Sequence, residues 1–185
     1  MTPSEQIKKE FDPYYPLPLE DWEGFISNFD EVSFKKNEII KKAWQIEKYG
    51  YYLLQGSCGN FIWKENNYVC LDLFFVNSFF NDHMSMITQA TTPIETRALE
   101  NCKALRISRI KINDLKQTLK GAHLFLIGAE SSYVEKQKQQ IDLLLKSPEE
   151  RYLDLINQYP ESNNIPVKYM ASYLGVTPQS LSRIR

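Results

Sequence analysis

Histidine is nearly missing from this chain: only His83 and His123 occur in 185 residues. A metal-dependent cupin would need clustered His and carboxylate ligands on barrel strands, and the candidate strands carry no histidine. No Ser–His–Asp or Cys–His arrangement can be built either, so enzyme activity is not expected. Cysteine is scarce: Cys58, Cys70 and Cys102 stand far apart, odd in number and without CxxC spacing. That excludes a disulfide framework and a zinc site, and it fits a reducing cytoplasm. Neither metal nor cofactor is expected. Excess positive charge is also absent, with 22 Lys and Arg against 23 Asp and Glu. The chain is therefore no polycation, and any nucleic-acid binding must rest on a local patch. No apolar run approaches a membrane span, and the first residues carry no signal-type apolar segment.

What is present is enough apolar material for a real core, 43% hydrophobic and 13% aromatic, in a length that allows one large or two small domains. A helical lead-in comes first. Ser4 is a candidate cap for a helix through Phe11; Pro13, Pro16 and Pro18 interrupt it, and Leu19 to Phe29 is amphipathic. Residues 32–110 then read as short strands: Val32–Phe34, Ile39–Lys41, Tyr49–Gln55, Asn60–Trp63, Tyr68–Phe75, Ile94–Leu99 and Ala104–Ile107. Turn residues separate them, as expected of a small antiparallel barrel or jelly roll. The polar, Met-rich stretch Phe79–Ala90 reads as helix or loop.

Beyond residue 111 the pattern turns helical. Ile112, Leu115 and Leu119 predict a short helix that Gly121 ends. A long helix follows from about Ala122 to Lys146. Leu124, Ile127, Ser131, Val134, Lys138, Ile141 and Leu145 alternate by three and four along it, a heptad-like seam that predicts pairing with a second copy. The competing reading is a surface helix packed on its own barrel. Ser147-Pro148-Glu149-Glu150 combines a cap, a first-turn proline and a capping-box glutamate, so a new helix and a domain boundary are expected at Ser147. The expected division is 1–120, 121–146 and 147–185.

The last twenty residues, PVKYMASYLGVTPQSLSRIR, carry the most specific signal. Met170, Ala171 and Leu174 share one helix face; Gly175 suits a left-handed cap; Val176 plugs the corner. Thr177 and Pro178 start a second helix, whose Leu181 and Ile184 turn back onto the first. This predicts a helix-turn-helix, with an αα-hairpin closing a helical subdomain as the plainer alternative. Thr177, Gln179, Ser180, Ser182, Arg183 and Arg185 are its exposed hydrogen-bonding positions, and Lys168 adds charge; no acidic residue lies in the segment. Gln179 and Arg183, four apart, are the expected base readers; Lys168, Thr177 and Ser180 are expected at phosphates.

A barrel, a long helix, a hinge and a C-terminal helix-turn-helix resemble the Crp/Fnr family of bacterial transcription regulators, from about Trp22 to Arg185. SPEERYLDLINQYP and KYMASYLGVTPQSLSRIR match best and are similar to a Bacteroidetes subgroup; ALENCKALRIS and YYLLQGSCGNF resemble the barrel part. The resemblance implies an α+β fold: a cyclic-nucleotide-binding-like β-roll, a dimerisation helix and a DNA-binding head. It implies operator DNA, a second copy and RNA polymerase as partners, and an effector not specified by sequence. Cyclic-AMP-binding members hold the phosphate with Gly-Glu and, about ten residues later, Arg-Ser/Thr. Asn81-Asp82 and Thr92-Pro93 stand there in this chain. The bidentate guanidinium is gone, so a degenerate pocket unresponsive to cyclic AMP is expected. Three cysteines cannot hold a four-cysteine iron–sulfur cluster, and neither histidine reads as a haem ligand. The alternative function is a sensor-like or interaction module that has lost DNA binding, because the sequence ends at Arg185, where many family members continue into a β wing.

Overall fold

The computed structural model describes residues 1–185. Two helices lead in, α1 (Pro3–Phe11) and α2 (Leu19–Ile26). The cap of α1 is Thr2, not Ser4. Thr2 Oγ1 accepts from the Glu5 N–H at 3.2 Å and the Glu5 carboxylate accepts from the Thr2 N–H at 2.7 Å, a complete capping box. Ser4 is buried in the first turn.

Eight strands follow: β1 (Asp30–Phe34), β2 (Ile39–Lys41), β3 (Tyr49–Gln55), β4 (Cys58–Lys64), β5 (Asn67–Phe74), β6 (Phe79–Phe80), β7 (Ile94–Ala98) and β8 (Cys102–Ser108). They form two antiparallel sheets, β1-β8-β3-β6 and β2-β7-β4-β5, in the jelly-roll manner expected. Glu65 and Asn66 both hold positive φ, the two-residue turn whose twist suits a tight hairpin between β4 and β5. The Phe79–Ala90 stretch resolves into β6 and a six-residue helix, α3 (His83–Thr88). Tyr51, Leu53, Cys58, Phe80, Ala98, Cys102 and Ala104, contributed by both sheets, form one cluster inside the roll. Tyr51 and Phe80 stack there with centroids 4.9 Å apart. Burial pushes all three cysteine thiols up, so they behave as small apolar groups.

α4 (Arg109–Lys116) and α5 (Leu119–Leu145) continue the chain. Gly121 does not end a helix; it lies in the first turn of α5, which Thr118 caps at 3.0 Å. A Cβ on Gly121 would sit 2.1 Å from the Leu115 carbonyl oxygen, so the close approach of α4 and α5 requires glycine. The beginning of α5 packs on the roll. Leu124 joins Ile7, Leu17, Trp22, Tyr52 and Leu105 in a core that binds α1, α2 and α5 to the outer face of β3 and β8.

Beyond α5 come α6 (Pro148–Gln158), a 3-10 turn (Pro160–Asn164) where a plain polar loop is expected from sequence, α7 (Val167–Tyr173) and α8 (Pro178–Ile184). The chain breaks at Lys146–Ser147, but the packing does not. Phe61, Cys70, Phe75 and Leu99 of the roll form one continuous core with Tyr152, Leu155, Ile165, Tyr169, Met170, Ala171, Leu174 and Leu181. Phe75 stacks on Tyr159 at 4.4 Å and Phe61 meets Tyr169 at 4.7 Å. The Cys70 N–H donates to Ser172 Oγ at 2.9 Å, so α7 covers the open edge of β5.

Candidate nucleic-acid interface

α7 and α8 form the helix-turn-helix, and each local cause is visible. Gly175 takes φ +69 just after α7, as a left-handed cap requires. Thr177 Oγ1 accepts from the Ser180 N–H at 3.1 Å and Pro178 occupies the first position of α8. Leu181 is fully buried and Ile184 is half-buried against the same core. The outer face carries Thr177, Gln179, Ser180, Ser182, Arg183 and Arg185, all exposed.

These side chains are not equally free. The hydroxyls of Thr177 and Ser180 lie 2.9 Å apart. Ser182 Oγ donates to the Pro178 carbonyl at 2.9 Å, and an Arg185 guanidinium nitrogen approaches Met170 Sδ at 3.5 Å. Gln179 and Arg183 stand side by side, one turn apart, on the exposed face. Lys168 is exposed on α7, its ammonium 4.6 Å from the centre of the Tyr169 ring. The segment holds three cations and no carboxylate.

Arg151, which the sequence did not single out, fixes the position of this face. Its guanidinium donates to the carbonyls of Leu143 at 3.2 Å and Lys146 at 2.7 Å, at the end of α5, and to Leu174 at 2.7 Å, at the end of α7. One α6 side chain thus satisfies orphan carbonyls of two other helices and ties the α7–α8 turn to the long helix.

Around Asp82 and Thr92 stands a second residue that the sequence did not single out, Lys41. Asp82 is fully buried and caps α3 through the Ser85 N–H at 3.1 Å. Lys41 of β2, 4% exposed, reaches its carboxylate at 2.6 Å and also donates to Thr92 Oγ1 at 2.9 Å and the Ile94 carbonyl at 2.9 Å. The Thr92 hydroxyl donates to the same Asp82 oxygen. Thr92 and Asp82 therefore come together; Asn81 offers its carbonyl to Asn60 Nδ2 at 3.0 Å, and Pro93 follows Thr92 in the chain. Arg97 points to Glu95, Nε to Oε1 at 2.9 Å, and to Tyr68 Oη at 2.9 Å. Lys41 thus supplies, from within the chain, a cation beside Asp82 that the sequence reading of this stretch did not include. No group of three or more His, Cys, Asp or Glu is placed to hold a metal ion.

The seam expected along α5 is divided in the structure. Leu124 is committed to the intrachain core and Ile127 is half-buried. Val134, Ile141 and Leu145 are exposed, but so are Leu126, Tyr133 and Leu144, and Leu144 is 84% exposed. The free apolar face thus joins Val134, Ile141 and Leu145 of the expected seam with Leu126, Tyr133 and Leu144 beside them. Lys136 pairs with Asp72 and Gln139 donates to the Leu71 carbonyl at 3.4 Å, so the opposite side faces β5.

No family model and no curated protein matches the chain. Solved structures do. FixK2 from Bradyrhizobium japonicum superposes with a TM-score of 0.72 at 14% identity, covering 84% of this chain and 82% of that one. CLP from Xanthomonas campestris, described as a c-di-GMP responsive global regulator, gives 0.67 at 17%, covering 90% and 89%. The Thermus thermophilus catabolite activator protein gives 0.57 at 18%, covering 99% and 84%. These likenesses show the fold: a β-roll, a long helix and a C-terminal helical head arranged as in those structures. Within that fold, the Lys41–Asp82–Thr92 network lies in the roll, and α8 is the last helix of the C-terminal head. No helix is long and apolar enough to cross a membrane.

Proposed function

We propose that this protein is a dimeric, DNA-binding transcription regulator of the Crp/Fnr type that works without cyclic AMP. The observation that carries the reading is the acid-free, exposed face of α8 on a helix-turn-helix with every structural position satisfied. Gln179 and Arg183 read base edges, and Lys168, Thr177 and Ser180 contact phosphates; Ser182 and Arg185 flank them. An arginine bonds bidentately to guanine and a glutamine to adenine, each worth about 1–3 kcal/mol of discrimination. Two half-sites about 34 Å apart call for two heads, and the apolar stripe of α5 supports pairing of two copies. The protein is proposed to act in the cytoplasm, with residues 1–120 as roll, 121–146 as dimerisation helix and 147–185 as DNA-binding head. Acting at promoters, it would meet RNA polymerase there.

Indifference to cyclic AMP is supported by Lys41. A phosphate entering the cassette would have to displace an ammonium already bonded to Asp82, Thr92 and the Ile94 carbonyl. Selection of bound genomic fragments, followed by anisotropy titration at fixed salt, tests the reading. A bound, salt-dependent, palindromic site supports it; no preference over random DNA refutes it. A thermal shift with millimolar cyclic AMP would refute the ligand part separately, because saturating ligand at a hundred times its dissociation constant adds about 2.7 kcal/mol.

A further inference from the structure

The loop between β2 and β3 has an unusual construction. Trp44 is 69% exposed and holds φ +63, a region that a bulky side chain seldom occupies. Strain of this kind persists only where the surroundings impose it. They do so here from beneath. The Trp44 N–H donates to the Thr92 carbonyl at 2.7 Å. The Glu47 carboxylate turns inward and accepts from the N–H groups of Lys48 at 2.9 Å, Tyr49 at 3.1 Å and Asp82 at 3.2 Å. The Glu47 N–H donates to Ser85 Oγ at 2.9 Å, which stitches the loop to α3. A rigid frame therefore pushes an indole and the neighbouring Ile46 out into water. On α3, Ser85 and Met86 point in, while Met84 and Ile87 are exposed by 53% and 56%.

The charges around this patch are of one sign. Lys42 and Lys48 flank the loop and are exposed. The carboxylates that could balance them are withdrawn: Glu47 caps backbone, Asp82 is held by Lys41, and Glu95 is paired with Arg97. Trp and Met are enriched in the desolvated centres of protein interfaces. Here the Glu47–Ser85 bond joins the loop that bears Trp44 and Ile46 to the helix that bears Met84 and Ile87, and Lys42 and Lys48 stand at the two ends of the loop. We propose that Trp44, Ile46, Met84 and Ile87, rimmed by Lys42 and Lys48, are a docking surface for an acidic segment of a partner protein that brings its own apolar anchor. The lysines steer such a segment and reject basic ones; the exposed indole offers its apolar face to the anchor. The surface lies on the roll, so the inference does not depend on the DNA reading of α8.

The test uses the full chain and a labelled synthetic amphipathic helix with a leucine face and a glutamate face, beside its twin with lysine in place of glutamate. By anisotropy the acidic peptide should bind at micromolar concentrations, and its twin about tenfold more weakly or worse. Trp44→Ser with Ile87→Ser should weaken the acidic peptide by at least about tenfold, as loss of an interface anchor does. Lys42→Glu with Lys48→Glu should reverse the preference between peptides; both positions face solvent, so this pair carries the test if the first variant folds poorly. Operator affinity should not change in either variant. Equal binding of the two peptides, no saturation with the acidic one, or wild-type affinity in the Trp44/Ile87 variant overturns the proposal. So does binding to phosphatidylglycerol vesicles that the same variant abolishes, which would make the patch a lipid contact. A dimer that falls to monomer in light scattering when Trp44 and Ile87 are replaced would make it a self-interface and overturn the proposal as well.

Discussion

Replacing Lys41 with methionine should be among the most damaging single changes in the roll. The ammonium makes three hydrogen bonds, two of them to the buried side chains of Asp82 and Thr92. Methionine fills much of the same volume, so the loss is electrostatic rather than steric. Asp82, fully buried, would keep the Ser85 N–H and the Thr92 hydroxyl but lose its cation. Stranding one member of a buried pair costs about 3–5 kcal/mol. In a chain of this size each kcal/mol moves the melting temperature by about 2–4 °C, so a fall of roughly 6–20 °C is expected. Replacing both partners, Lys41→Met with Asp82→Asn, removes the stranded charge while the asparagine still caps α3. The double variant should therefore be more stable than Lys41→Met alone, with a coupling of about 1–3 kcal/mol in the cycle. Urea and thermal unfolding followed by circular dichroism at pH 7 measure all four corners. A Lys41→Met variant within about 1 kcal/mol of wild type would refute the reasoning, because a cost that small belongs to exposed pairs. Strict additivity of the two changes would refute it too.

Further expectations concern the head, the stripe and the hinge. Arg183→Ala should weaken operator binding by about 1–3 kcal/mol while leaving random DNA nearly unaffected; Lys168→Ala should weaken both equally and lower the salt slope by about 0.9. Unchanged operator affinity in Arg183→Ala would remove α8 as the reader. Tyr133→Asp with Leu144→Asp should give monomers by light scattering, and a persistent dimer would move the interface off the α5 stripe. Gly121→Ala should destabilise measurably by thermal melting, because its methyl cannot coexist with the Leu115 carbonyl at 2.1 Å; an unchanged melting point would contradict the packing of α4 on α5. Arg151→Met frees three carbonyls, and hydrogen exchange at Gly175 and Val176 should rise as the α7–α8 turn loosens; protection equal to wild type would show that the clamp is not needed.

Local signals were legible where one short segment contains both the cause and the effect. The Ser147 capping box, the Thr177–Pro178 start of α8 and the Gly175 cap each close within a few residues, and all stand where the sequence puts them. The strand pattern was readable for the same reason, since alternation and turn residues are local. Lys41 and Arg151 were not. Lys41 finds Asp82 and Thr92 across 41 and 51 residues, and a lysine at the end of a three-residue strand looks like an ordinary edge charge. Arg151 reads as a surface position on an amphipathic helix until α7 folds back against it. The commitment of Leu124 to the roll was not legible for a different reason. Its apolar residues lie on two faces, one for the roll and one free, and a three–four pattern drawn through all of them averages the two.

The head that covers the edge of β5 has a consequence for anyone dividing this chain. A fragment ending at residue 146 would uncover a full-length edge strand together with the apolar faces of Phe61 and Phe75, and a fragment beginning at Ser147 would bare the opposing faces of Tyr159 and Tyr169. The roll keeps its inner cluster, but the core it shares with the head is complete only when both are present. Roll and head should therefore unfold in one cooperative transition, and dissected halves should aggregate through strand pairing. The hinge at Ser147 marks a joint in the chain, while the unit of stability runs across it.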